Sequence, residues 1–150
     1  MAGERGNGLQ AILETTEVLH EERREVRFQD VDAAGIVFYA RAFDFFHDAY
    51  VSFLRARGAP LEEAVRDRSW VAPLRHAEAD YLRPLRFGDR IRVAIVNVAL
   101  EETEYTVAYR IDVDGEPACA GRTRHVAVDP ETFKRTRVPD PLRRALAGGG

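Results

Sequence analysis

Residues 39–57 form the one long stretch whose apolar side chains recur at helical spacing. Phe38, Ala42, Phe45, Phe46, Ala49, Tyr50, Phe53 and Leu54 fall three or four positions apart, and Arg41, Asp44, Asp48, Ser52 and Arg55 mark the opposite face. A stripe this broad must be covered, and the rest of the chain says by what. Gly58 and Pro60 stop the pattern, and a short second helix is expected over 61–68. Before the stripe, 23–28 alternates charged and apolar residues, with Val26 and Phe28 on one side, as a strand does. After Trp70 the runs 71–82, 91–100, 105–113 and 117–128 all read as strands. Tyr105, Val107, Tyr109, Ile111 and Val113 share one face, Asp114-Gly115 is a hairpin turn, and Asp-Pro-Glu-Thr at 129–132 turns again. Strand, long helix and four antiparallel strands predict an α+β fold, a five-stranded antiparallel sheet wrapped on one long central helix. The stripe is wider than one concave sheet face covers, so at least a dimer is expected.

The chain of 150 residues is sized for one domain. A net charge of −3 favours neither nucleic acid nor an anionic membrane surface, and neither is expected as a partner. Of 22 basic residues only Lys134 is Lys, so an Arg at any single position says little about phosphate binding. One cysteine, Cys119, excludes an internal disulfide framework and fits a reducing compartment. The first residues lack a signal-peptide pattern, and no run approaches the roughly 20 apolar residues of a membrane span. The expected location is the cytoplasm. Residues 1–10 are Gly-rich and polar, so 1–20 is expected to be a partly disordered segment and 141–150 a frayed tail, leaving one domain over 21–140.

The chemical clue lies at 26–54. Asp30 and Asp32 flank Val31, directly before two Ala, Gly35 and the most apolar part of the chain. A carboxylate beside apolar walls costs stability unless something holds it. Both acids fall where a strand ends and a Gly-containing turn enters a helix. The first N–H groups of a helix lack partners and carry partial positive charge, which suits an anionic atom or a developing oxyanion. A carboxylate across the turn can serve as nucleophile or general base on a carbonyl held there. The plainer reading of Asp30 and Asp32, as turn or N-cap residues, stands beside it.

The stretch 30–39, Asp-Val-Asp-Ala-Ala-Gly-Ile-Val-Phe-Tyr, resembles the signature of the hotdog-fold thioesterases of the 4-hydroxybenzoyl-CoA thioesterase family. That signature runs acid, one residue, Asp, two small residues, Gly, Ile or Val, Val and an aromatic pair. His-Ala-Glu-Ala-Asp-Tyr-Leu-Arg-Pro-Leu-Arg-Phe-Gly-Asp-Arg-Ile-Arg-Val at 76–93 is similar to the family's strand–turn–strand. The resemblance covers 21–138 and implies a single hotdog thioesterase domain over 21–140. It implies that Asp32 is the catalytic carboxylate and that the Tyr39 backbone N–H polarises the thioester carbonyl, with Gly35 letting the turn pass close to substrate. Attack by Asp32 to form a mixed anhydride and activation of a water both stay open. The resemblance implies an acyl-CoA substrate, no cofactor, no metal, and a homodimer or homotetramer with the active site at the dimer interface.

Within the family, Phe-His-Asp-Ala-Tyr at 46–50 looks closest to the 1,4-dihydroxy-2-naphthoyl-CoA hydrolases. Ile36, Phe38, His47, Tyr50 and Arg83 are the expected substrate-binding residues. His47 is positioned to bond a phenolic hydroxyl of an aromatic acyl group, of hydroxynaphthoyl or hydroxybenzoyl type; packing at a subunit interface is the competing role. The chain departs from the hydroxybenzoyl-CoA enzymes in one loop. Those enzymes can carry basic residues there, against the CoA phosphates, and this chain has Glu101, Glu102 and Glu104. Arg83, Arg86, Arg122 or Arg124 are then the candidates for the phosphates. An acyl carrier protein as donor would want a basic rim, which this loop does not supply.

Rival constellations are weaker. Cys119 sits among Ala118, Ala120 and Gly121 and reads as core. His76 and Glu78 share a strand face, but two residues do not make a metal site. No Gly-x-Ser-x-Gly elbow occurs. Trp70 is expected at a sheet end, and 101–104 at a solvated hairpin end. A short-chain aliphatic acyl-CoA thioesterase and a non-catalytic acyl-CoA-binding hotdog domain are the alternative functions. The second has no use for Asp32. A hotdog hydratase would pair its Asp with a nearby His, and none falls between Asp32 and His47.

Overall fold

The computed structural model describes residues 2–148. In chain order the elements are α1 (Ala2–Glu14), β1 (His20–Glu25), α2 (Arg41–Ala56), α3 (Leu61–Asp67), β2 (Leu74–Tyr81), β3 (Arg90–Leu100), β4 (Glu104–Val113), β5 (Glu116–Val126) and α4 (Asp140–Leu146). The strands form one antiparallel sheet in the order β1-β3-β4-β5-β2. This is the expected α+β hotdog arrangement, with α2 laid on the sheet's inner face.

The predicted stripe packs as its spacing requires. Ala42, Phe45, Phe46, Ala49, Tyr50, Phe53 and Leu54 of α2 are all buried. They meet Val93 and Ile95 of β3, Tyr105, Val107, Tyr109 and Ile111 of β4, and Cys119 of β5 in one core. Burying a Phe or Leu side chain contributes about 1.5–3 kcal/mol, so this face dominates the stability of the α2–sheet contact. Gly121 of β5 lies opposite Tyr109 of β4. Its missing side chain admits the Phe46 ring, which stacks on Tyr109 at 4.7 Å. Trp70 joins this core, as expected, near the isolated bridge of Val71 to Val128.

Five expectations need correction. The first strand ends at Glu25 rather than Phe28. Val26 remains buried, but a 3-10 turn over Phe28–Asp30 swings Phe28 out to 75% exposure, against Phe87. Phe38 precedes α2 and is half-exposed beside Tyr39, so it is not part of the stripe.

The N-terminal segment is not disordered over the described residues. Leu9, Ile12, Leu13 and Val18 cover Ala94, Val96, Ala108 and Ala120 on the sheet's outer face. Arg110 fastens this cover by donating from Nη1 to the carbonyls of Ile12 (2.9 Å) and Thr15 (2.8 Å), while Asp112 takes its Nε–H at 3.1 Å. The small alanines leave room for a helix on a face that alternation alone assigns to solvent.

The expected tail 141–150 is helical through Leu146, with Leu142, Ala145 and Leu146 buried; residues 149–150 and Met1 lie outside the described residues. Finally, the α2 stripe is covered within a single chain, so excess helix surface is no ground for a dimer. No helix is long and apolar enough to cross a membrane among the described residues.

Candidate active site

The segment between β1 and α2 is a chain of backbone contacts that presents one carboxylate and hides the other. Asp30 is fully buried. Its Oδ2 accepts the Arg27 backbone N–H at 2.9 Å and Arg27 Nε–H at 3.3 Å, and its Oδ1 accepts Arg27 Nη2–H at 3.2 Å. Burial pushes this carboxyl up, but the Arg27 hydrogen bonds outweigh it and hold the group below its usual range. The Asp30 carbonyl accepts the Phe38 N–H at 2.9 Å, which closes the loop below the helix. Asp30 is therefore the turn residue of the plainer reading.

Asp32 is exposed and differently held. Its backbone N–H donates to the Ile36 carbonyl and its carbonyl accepts the Gly35 N–H, both at 2.9 Å. One carboxylate oxygen accepts the Ala34 N–H at 2.8 Å, an Asx turn that orients the group and leaves its other oxygen free for a ligand. Gly35 sits at φ +77°, in the left-handed region where an L side chain is strained. The loop is strapped to the segment before β3, because Phe87 N–H donates to Gly35 C=O at 3.2 Å and Val37 N–H to Leu85 C=O at 2.7 Å.

Tyr39 and Ala40 open the first turn of α2. Among the described residues no backbone acceptor takes either N–H, and Ala40 at the N-cap offers no side-chain cap. Tyr39 and Asp32 border one cavity of about 430 Å³. Ile36, Phe38 and Ala42 form its apolar side, Tyr81, Leu82 and Arg83 its far wall, and Cys119 part of its floor. Asp32, Ile36, Phe38, Tyr39 and Arg83, expected together, are therefore together. Gly35 belongs to the turn and contributes no wall.

His47 and Tyr50 are elsewhere. They line a larger cavity of about 810 Å³ between α2, α3 and the starts of β2 and α3's following loop, with Phe43, Trp70, Thr123 and His125. His47 is exposed, with its ring 5.8 Å from Tyr50. The wall behind them is an aromatic and polar stack. The His125 ring stacks with those of Tyr50 (4.7 Å) and Tyr105 (5.0 Å), and Tyr50 and Tyr105 share a 2.5 Å hydroxyl hydrogen bond. His125 Nε2 meets Thr123 Oγ1 at 3.0 Å, and Thr123 Oγ1 meets Tyr109 Oη at 2.8 Å. Burial pushes the His125 pKa down to about 4, so the imidazole is neutral at pH 7.

Of the four arginines considered for CoA phosphates, Arg83 alone borders the Asp32 cavity, and it is half-exposed with Glu116 at 3.4 Å. Arg122 turns to Glu78 at 3.6 Å. The acidic hairpin end is matched by this chain's own cations: Glu104 meets Arg75 at 3.3 Å and Arg135 at 3.6 Å, and Glu102 meets Arg137 at 3.5 Å. His76 and Glu78 are 3.4 Å apart, and no group of three or more His, Cys, Asp or Glu side chains gathers among the described residues. Burial pushes the Cys119 thiol up to about 12, which removes it as a nucleophile.

Tyr81 is not among the site residues expected from the sequence, yet it stands beside Tyr39. In the structure Tyr81 Oη donates to the Tyr39 carbonyl at 2.5 Å. The available signal was the phase of β2, which sends Ala77, Ala79 and Tyr81 to one side. Chemically, the cavity sets an oriented carboxylate and unpaired N–H donors around an apolar space, which is an arrangement for a carbonyl that gains negative charge.

The family model of the thioesterase-like superfamily matches residues 26–146. The 1,4-dihydroxy-2-naphthoyl-CoA hydrolase of Rippkaea orientalis is 35% identical over 131 residues, covering 85% of this chain and 95% of the relative. The crystal structure of a gentisyl-coenzyme A thioesterase is 25% identical with a TM-score of 0.74, covering 85% of this chain and 98% of that one. A 1,4-dihydroxy-2-naphthoyl-CoA thioesterase from Synechocystis shares the fold at a TM-score of 0.80 and 24% identity, over 85% and 95% of the two chains. With the signature at 30–39 now seen shaping the cavity and more than half of the chain matched, this protein belongs to the thioesterase-like, hotdog-fold superfamily.

Proposed function

We propose that the chain hydrolyses an aromatic acyl-CoA thioester, of hydroxynaphthoyl or hydroxybenzoyl type, to the free acid and CoA. The observation that carries this is the 430 Å³ cavity shared by the Asx-oriented Asp32 carboxylate and Tyr39, whose N–H has no backbone acceptor among the described residues. The thioester carbonyl oxygen takes the Tyr39 N–H. Asp32 either attacks the carbonyl carbon, so that the C–S bond breaks and CoA leaves as thiolate, or draws a proton from a water that attacks. In the first case water then cleaves the mixed anhydride and restores the carboxylate. The thiolate is a good leaving group, so no strong general acid is needed. Ile36 and Phe38 shield the reacting carbon from bulk water, and Arg83 faces the CoA side.

Two copies complete the site in this reading. β2 is an edge strand, and Leu74, Tyr81 and Leu82 along it are exposed apolar side chains. Antiparallel pairing of two β2 edges about their middle sets the Asp32 cavity of one copy beside the Leu74 end of the larger cavity in the other. His47 and Tyr50 would then receive the aromatic acyl group across the interface. A cytoplasmic location goes with this reading and with the single, buried cysteine.

The test is thiol release from hydroxynaphthoyl-, hydroxybenzoyl-, benzoyl- and short-chain aliphatic CoA, for wild type and Asp32→Asn. A loss of roughly 10²–10⁴-fold in the variant, with ligand still bound, is expected. Turnover untouched by the substitution would remove Asp32 from the mechanism, and a best substrate among the aliphatic thioesters would overturn the aromatic assignment.

A further inference from the structure

We infer that Tyr81 is a positioning residue for the oxyanion donor, holding the first turn of α2 in register with the Asp32 loop from the far edge of the sheet. The inference rests on the proposed role of the Tyr39 N–H.

The first turn of α2 is closed by backbone bonds and lacks a side-chain cap. A methyl side chain cannot cap, and Ala40 at the N-cap makes no side-chain hydrogen bond to the turn. The Tyr39 carbonyl has one backbone partner, the Ala42 N–H at a long 3.3 Å. Tyr81 Oη donates to the same oxygen at 2.5 Å, making it the shorter of the two contacts. The contact joins positions 42 residues apart, from the end of β2 to the head of the helix. It also lies on the reaction cavity, because Tyr81, Tyr39 and Asp32 border the same space.

Fixing the Tyr39 carbonyl fixes the peptide plane between Tyr39 and Ala40 and with it the ψ angle of Tyr39. The plane before it, which carries the Tyr39 N–H, is held by the Arg41 N–H donating to the Phe38 carbonyl at 2.8 Å; with both planes anchored, the Tyr39 N–H cannot swing through φ and ψ of Tyr39 as charge builds on the substrate oxygen. Donors placed in advance are what makes an oxyanion site effective, since nothing need reorganise at the moment of reaction. Half-burial pushes the Tyr81 phenol up, so it remains protonated and a donor throughout the neutral range. Arg27 and Asp30 anchor the other side of the loop through the Phe38 N–H, so the turn is gripped from both flanks.

The experiment compares wild type, Tyr81→Phe and Tyr81→Leu on one aromatic acyl-CoA, with amide hydrogen exchange over the head of α2 measured alongside. Tyr81→Phe keeps the ring and removes only the hydroxyl. Its kcat should fall roughly tenfold, the effect of one ordinary hydrogen bond placed in the barrier. KM and melting temperature should hold, and exchange at the Tyr39, Ala40 and Arg41 amides should quicken. Tyr81→Leu should fall no less in kcat and should also raise KM, since the ring is part of the wall. A Phe variant with wild-type kcat, or with unchanged exchange at the head of α2, would overturn the inference. If wild type cleaves no acyl-CoA while the exchange difference appears, the thioesterase reading fails and the positioning contact stands.

Discussion

Gly121→Ala tests the contact that sets the height of α2 above the sheet. A Cβ built on Gly121 would lie 2.4 Å from Phe46 Cε2, 2.7 Å from Phe46 Cζ and 2.7 Å from the Glu78 carbonyl oxygen. Ordinary carbon contacts begin near about 3.5 Å, so the ring must retreat by roughly 1 Å. It has nowhere to go: Phe46 is fully buried, stacked on Tyr109 at 4.7 Å and edge-on to Phe43 at 5.9 Å. The carbonyl is equally fixed, because Glu78 pairs with Arg122 in the β2–β5 ladder. Overpacking a dense core costs about 1–3 kcal/mol and sometimes more, and two rigid obstacles place this case at about 3 kcal/mol. For a chain of this size that is a fall in Tm of roughly 6–12 °C. Urea unfolding followed by circular dichroism reads it directly. The double variant Gly121→Ala with Phe46→Leu removes both clashing ring atoms, so its cost should be at least about 1 kcal/mol less than the sum of the singles. A Gly121→Ala protein within about 0.5 kcal/mol of wild type, or additive singles, would show that α2 does not rest on β5 as described.

Three further outcomes follow from the site and its surroundings. His125 is held near pKa 4 in the fold against 6.5 when unfolded, so the unfolded chain binds a proton that the folded one refuses; stability is full above pH 6.5 and falls by about 3 kcal/mol as pH drops toward 4. Unfolding at pH 7.5 and 4.5 measures this, and His125→Gln should flatten the difference. Gly35→Ala meets no atom within 4 Å but must adopt φ +77°, so it should cost about 1–2 kcal/mol in urea unfolding and lower kcat by shifting the loop that presents Asp32. Arg83→Ala should leave stability within about 0.5 kcal/mol, since its pair with Glu116 is exposed, while raising KM for an acyl-CoA more than for the matching acyl-pantetheine in steady-state assays.

The architecture was legible because its two periods differ. Phe45, Phe46, Ala49, Phe53 and Leu54 repeat at helical spacing, while Tyr105, Val107, Tyr109 and Ile111 repeat at two, and each set is buried as its period requires. Within the site, Asp32 and Tyr39 stand on one short loop with Gly35 in the turn between them, and so short a loop leaves little freedom to keep the two from one cavity. The ends of the chain were misread for a physical reason. α1 covers small side chains, three alanines and Val96, on the outer sheet face and relies on Arg110, a charged residue, for its fastening, so its own weak pattern carries no signal. α4 is seven residues long, too short for a period to declare itself.

The sequence by itself determined that α2 is helix and that four strands follow it, which face of α2 and of β4 packs into the core, and where the carboxylate stands relative to the head of α2. These are consequences of local periodicity and of contacts within about ten residues. Only the tertiary structure decided that Asp30 is buried on Arg27 while Asp32 is open, that Tyr81 reaches the Tyr39 carbonyl, and that His47 and Tyr50 border a second cavity instead of the first. Each of those depends on where strands far apart in the chain come to rest against one another, and side-chain spacing along a single segment holds no information about that distance.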